Sequence, residues 1–186
     1  IIKSSTDTNP IIMGIILGGI ITVVGTAPLS SMALTALLGL TGVPMAIGAM
    51  AAFSSAFLNG TLFHRLKLGD RKSTISVSIE PLSQADIVSA NPIPVYVTNF
   101  FGGAAAGLII ALSGMINDAT GTATPIAGFL VMFGFNSPMK VIIYGVVMAI
   151  VGGLAGFLGS LAFKKYPIVT KQDMIDHEAK RKVKTA

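Results

Sequence analysis

The chain has 186 residues, of which 52% are hydrophobic and only 11% charged, with a formal net charge of +5. A soluble domain carries about 25% charge, so the polar surface needed to cover a water-soluble globule is missing, and lipid is the natural partner of the apolar surplus. The absence of cysteine excludes disulfides, thiolate metal sites and cysteine nucleophiles, and basic stretches without interleaved aromatics do not read as a nucleic-acid surface.

No Asp, Glu, Lys or Arg falls between Thr8 and Phe63, Ile87 and Asn117, Ala119 and Met139, or Val141 and Phe163. A spanning helix needs about 20 mostly apolar residues, and each gap can supply them. The opening Ile1-Ile2-Lys3 has neither an initiator methionine nor a signal-peptide pattern, and predicts a chain that continues before residue 1. A polar start ends at Asn9-Pro10, where an apolar helix begins and runs to about Val24. Its Gly14-x-x-x-Gly18 permits close helix approach in lipid. Gly25 to Ser31 is a polar, proline-containing break in an uncharged region. It is either a short external turn or a re-entrant element near a site, because irregular backbone at membrane depth persists only inside protein or along a cavity. Residues 32–40 are apolar but short, and a longer helix is predicted from about Met45 to Phe63.

Residues 64–74 read as a basic cytosolic loop, since Lys- and Arg-rich loops stay inside. The stretch 75–91 is too polar and short to span yet too apolar for an ordinary loop, so a re-entrant hairpin is predicted. A span follows from Pro92 to about Ile116, with a small-residue face at Gly102–Gly107. Asn117 to Thr124 is a polar turn carrying Asp118, and 125–135 is apolar but too short to cross. A last span runs from about Val141 to Phe163, with Gly152, Gly153, Gly156 and Gly159. From Lys164 the tail is basic and cytosolic, with a helix expected around 171–182. Two crossings separate the two basic clusters, which returns both to one side. The expected fold is therefore all-α, a polytopic membrane helical bundle with re-entrant hairpins, divided into a transmembrane part at 1–163 and a tail at 164–186.

Glu80-Pro81 is the most informative feature. An ionisable group at membrane depth costs about 2.5–3.5 kcal/mol on insertion scales and marks a functional site by default; the bland alternative is an interfacial carboxylate beside Arg71 and Lys72. Asp86 reads as a cap, an interfacial charge or a second polar contact. Gln84, Asn91 and Asn99 are the other polar groups near the hairpin or on the next helix. Asn91 is either a cap before Pro92 or a ligand, and Asn99 either an interhelical hydrogen bond or a ligand. Such amide and carboxylate groups suit polyols, because each hydroxyl both donates and accepts. His64 and His177 read as solvated, and no metal-ligand spacing occurs. No phosphate-binding or nucleophile-elbow motif appears in the required context.

Ser78-Ile79-Glu80-Pro81, followed by Asn91-Pro92-Ile93-Pro94 and by the helix, basic-loop, hairpin, two-helix layout, resembles the membrane (IIC) subunits of the bacterial sugar phosphotransferase system, glucose superfamily. The text around Gly25–Ser31 and Asn91–Ile126 is most similar to its toxin-regulator-like branch, and the chain resembles the C-terminal part of a member. The resemblance implies an inner-membrane permease, homodimeric like its relatives, that binds a sugar and passes it inward to a partner IIB. That partner holds a phosphocysteine and needs no further cofactor, and phosphotransfer makes the permease a component of a transport-coupled enzyme. It implies that Glu80 accepts a hydrogen bond from the sugar hydroxyl to be phosphorylated, and a carboxylate in that role is expected to sit in a dry, enclosed hollow of the bilayer. Many members place a histidine in an earlier hairpin; the matching region here has none, leaving Thr26, Ser30 and Ser31 as its hydrogen-bonding groups, each otherwise helix glue or turn. Two other functions share the fold: a membrane sensor without phosphotransfer, and a facilitator or ion-coupled carrier using Glu80 as a protonatable group.

Overall fold

The computed structural model describes residues 9–26, 43–114 and 136–185. These form seven α-helices and one 3-10 turn, with no strand among the described residues. The helices are α1 (Pro10–Thr26), α2 (Val43–Leu66), α3 (Arg71–Ile79), α4 (Ala85–Ala90), α5 (Pro92–Ser113), α6 (Pro138–Ala162) and α7 (Lys171–Thr185), with the 3-10 turn Pro81–Gln84 between α3 and α4. The expected elements at residues 27–42 and 115–135 lie outside the described residues.

Local chemistry sets the boundaries. Pro10, Pro92 and Pro138 open helices, where the missing N–H costs nothing and φ is already helical. Gly114, at φ 71°, closes α5 in the left-handed region, which glycine adopts without steric cost. The basic loop expected at 64–74 shrinks to a four-residue link, 67–70, because α2 continues to Leu66 and α3 starts at Arg71. Lys67 takes a left-handed conformation (φ 55°) and the Leu68 N–H donates to the Phe63 carbonyl at 3.1 Å. This is the six-to-one bond of a Schellman stop, with Leu68 buried beside Phe63. Asp70 then caps α3, accepting the Ser73 N–H at 2.7 Å.

Four helices form the core. Along α1 and α5, Gly14 meets Gly107, Gly18 meets Gly103, and the Thr22 hydroxyl donates to the Asn99 carbonyl at 2.6 Å. One residue number rises as the other falls, so the pair is antiparallel. Gly14 and Gly18 on one helix and Gly103 and Gly107 on the other recur at four-residue spacing, and a Cβ on Gly18 or Gly107 would land on the facing backbone carbonyl. Close backbone approach of this kind is how helices associate where water supplies no hydrophobic drive. On the other side of α5, Thr98 faces Gly159 and Gly102 faces Ala155, again antiparallel. Ser54 faces Gly152 and Leu58 faces Gly156, so α2 and α6 run parallel. Arg65 extends that register, its Nε donating to Ser160 Oγ at 2.8 Å while its guanidinium lies 4.3 Å above the Phe157 ring.

These registers put the C-terminal ends of α1, α2 and α6 and the N-terminal end of α5 at one end of the bundle. That end carries Arg65, Lys67, Arg71, Lys72, Lys164, Lys165 and Lys171, whereas Lys140, in the first turn of α6, lies near the opposite end. Both basic clusters therefore share an end, as their two intervening helices require. Among the described residues, Pro92–Ser113 and Met139–Ala162 are long and apolar enough to cross a membrane. The latter leaves Ile142, Val146, Ile150, Leu154, Leu158 and Leu161 exposed in one stripe, the outer face expected of a helix in lipid.

Candidate functional site

The predicted hairpin at 75–91 is a helix-break-helix, α3 and α4 joined by the 3-10 turn, with Glu80-Pro81 at its apex. Proline disfavours helical backbone in the residue before it, and Glu80 is extended accordingly, at φ −141° and ψ 104°. The break stays hydrogen-bonded. The Glu80 N–H donates to Ser76 O at 2.8 Å and its carbonyl accepts the Ser83 N–H at 3.0 Å. Ser76 Oγ donates to Ser83 Oγ at 2.7 Å, tying the two sides together.

The hairpin folds back along α2. Gly69 lies against Ser73 and Gly60 against Ser78, so α3 runs antiparallel to α2 and carries its apex back to the level of Gly60. Nine residues at about 1.5 Å each make a leg of roughly 14 Å. The 3-10 turn also touches α1. Beneath the legs, Leu62, Phe63, Leu66, Leu68, Val77, Ile87, Val88 and Val95 form a buried cluster, which anchors the hairpin to α2 and α5.

The Glu80 side chain is exposed at this apex; among the described residues nothing encloses it in the dry hollow expected of it. Gln84 is on the same turn, its Nε2 donating to Ser83 O at 2.8 Å. The other candidates do not join them. Thr26 is buried at the end of α1, its hydroxyl donating to Val23 O at 2.9 Å, which is helix back-bonding. Ser30 and Ser31 lie outside the described residues. Asp86 stands exposed in the first turn of α4.

Asn99 is fully buried and joins helices. Its Nδ2 donates to Asn59 Oδ1 at 2.8 Å and to Val95 O at 2.9 Å. Its Oδ1 accepts from Ser55 Oγ at 3.1 Å and Asn59 Nδ2 at 3.2 Å, and Asn59 Nδ2 also donates to Ser55 Oγ at 2.9 Å. Every amide group in this α2–α5 network is satisfied, so it holds the helices that flank the hairpin. Asn59 adjoins Gly60, the residue against which α3 packs, so one turn of α2 supports both features.

Asn91 sits at the base of the hairpin, not at its apex. It precedes α5 but makes no side-chain cap. Its Oδ1 accepts the Val169 N–H at 2.8 Å, while its Nδ2 donates to Val169 O at 2.7 Å and Ile87 O at 2.9 Å. Nearby, the Lys171 N–H donates to Leu68 O at 2.8 Å. Lys171 Nζ donates to Ser73 Oγ at 2.9 Å and lies 3.5 Å from Asp70 Oδ2. Hydrogen bonds from Ser73, and then the Lys171 charge, hold the Asp70 carboxyl below its ordinary pKa.

Asn59, Ser55, Thr22, Ser76 and Ser83 escaped the sequence reading. The spacing Ser76–Ser83 around Glu80-Pro81 was a usable signal; the interhelical partners, 40 to 77 positions apart, left none. Among the described residues, no group of three or more His, Asp or Glu could hold a metal ion.

A family model described as "Phosphotransferase system, EIIC" matches residues 1–175. No curated protein and no solved structure matches the chain.

Proposed function

The chain belongs to the EIIC family of the phosphotransferase system, and from that premise we propose that it is a sugar permease component, binding a sugar and moving it inward for phosphorylation by a partner IIB. Membership makes it a membrane component of that system. What supports the finer reading is the family match together with the placement of Glu80-Pro81 on a hydrogen-bonded apex that folds back beside α2. A carboxylate there is open to a substrate hydroxyl, can orient it, and can take its proton as the phosphoryl group arrives. Gln84, on the same turn, offers both a donor and an acceptor to a neighbouring hydroxyl. The chain has no cysteine, so the phosphocysteine belongs to the partner. The reading requires a bacterial inner membrane with the Lys- and Arg-rich end in the cytosol, where a soluble IIB can reach it.

A membrane sensor of the same family is the second reading, favoured by the absence of histidine from Gly25–Ser31 and by the commitment of the Asn91 and Asn99 amides to other parts of the chain. Vesicles loaded with labelled candidate sugars, with and without phosphorylated IIB, separate the two. A permease accumulates sugar phosphate only with the partner, a sensor gives no flux, and an ion-coupled carrier gives flux that follows the proton gradient. Glu80→Gln is expected to abolish phosphorylation while insertion stays normal; wild-type activity in that variant would remove Glu80 from the site.

A further inference from the structure

The hairpin legs are tied at the apex by the Ser76–Ser83 hydroxyl bond, but their base is closed by a different part of the chain. Beyond α6, the segment Ile168–Lys171 crosses that base and grips both legs. Val169 gives its N–H and its carbonyl to Asn91, whose Nδ2 also holds Ile87 O within α4. Two residues on, Lys171 holds Leu68 O, Ser73 Oγ and Asp70 at the start of α3. Ile168 and Met174 pack on the buried cluster beneath. Asn91 is only 2% exposed, so its donors and acceptor have no water to replace a lost partner.

We propose that Ile168–Lys171 is a strap that fixes the hairpin from its base, and that Asn91 is the positioning residue through which the strap sets the Glu80-Pro81 apex. The match between Asn91 and Val169 is specific to an amide. Aspartate, its near-isostere, would keep the acceptor for the Val169 N–H but set a negative charge against two carbonyls. The strap joins the hairpin base to the end of α6, so a displacement of that helix end reaches the hairpin through two short contacts. The permease reading matters here only in making Glu80 the group so placed.

The test is amide hydrogen exchange over residues 71–90 in the full chain in lipid nanodiscs, which requires neither sugar nor partner. Asn91→Asp, Asn91→Ala and Val169→Pro are each expected to speed exchange there on the order of tenfold, as expected for lost buried hydrogen bonds. Val169→Pro removes the strap's N–H and leaves Asn91 untouched. Because Val169→Pro deletes one of the three bonds that Asn91→Ala removes, the double variant is expected to exchange little faster than Asn91→Ala alone. Additive effects, or unchanged exchange in Val169→Pro, would overturn the strap. If Asn91→Ala does not insert, the Val169→Pro measurement decides alone. Exchange that responds as expected in a chain that transports no sugar upholds the strap and counts against the permease reading only.

Discussion

Single polar side chains decide how this apolar chain is pinned. Asn99 and Asn59 exchange amide hydrogen bonds between α5 and α2 and share Ser55. Cutting either leaves buried groups unpaired, a loss of about 1–3 kcal/mol in water-soluble proteins but nearer 0.6, and at most about 1.7, for interhelical bonds in a membrane. Asn99→Ala and Asn59→Ala are each expected to lower resistance to unfolding in mixed detergent by about 1 kcal/mol. Their double variant should lose less than the sum, because both remove one shared network. Strict additivity would mean the two amides do not hold each other. This network also shows what a sequence can conceal. Asn99 read equally as glue or ligand, since nothing local distinguishes them, and its partners stand 40 and 44 positions away.

At the scale of elements, helix starts were legible at Pro10 and Pro92, because proline acts through its own backbone, whereas α6 starts at Pro138, three residues before the Val141 expected. The break at Glu80-Pro81 between two short helices was legible too, because proline interrupts a helix at the residue before it. The basic loop was misjudged because Lys and Arg mark the interface, not the end of a helix: α2 runs on through His64 and Arg65 before Lys67 stops it. The glycines were legible as packing devices, but which of them touch a neighbour was not. Gly103 faces the Gly18 carbonyl and Thr22, whereas Gly153 faces open space. Gly103→Leu is therefore expected to force α1 and α5 apart, costing about 1–3 kcal/mol or more. Gly153→Ala is expected to be neutral or to gain up to about 1 kcal/mol from helix propensity. Detergent unfolding of the two variants side by side checks this; equal losses would show that the α1–α5 seam is not built on close backbone contact.

For the whole molecule, the expected orientation rests on the direction of four helices and on where the described Lys and Arg residues gather. Because α5 runs against α1, α2 and α6, the chain places the link 67–70 and the residues after α6 at the same end, and seven Lys and Arg residues gather there. Such an accumulation holds an end in the cytosol. The same end carries the hairpin base and the strap, and under the proposed permease reading this is the side from which a soluble phosphoryl donor would arrive. The chain contains no cysteine, which makes the orientation directly measurable with single introduced thiols. Lys67→Cys and Lys165→Cys, both exposed, are expected to react with a membrane-impermeant maleimide in inside-out vesicles and to be protected in right-side-out ones. Asn136→Cys, exposed at the opposite end before α6, should show the reverse. Labelling of positions 67 and 165 from different sides would break the antiparallel pairing of α5 and α6. Labelling of both from outside would leave the bundle intact but invert it, and with it the route by which a cytosolic IIB could reach Glu80.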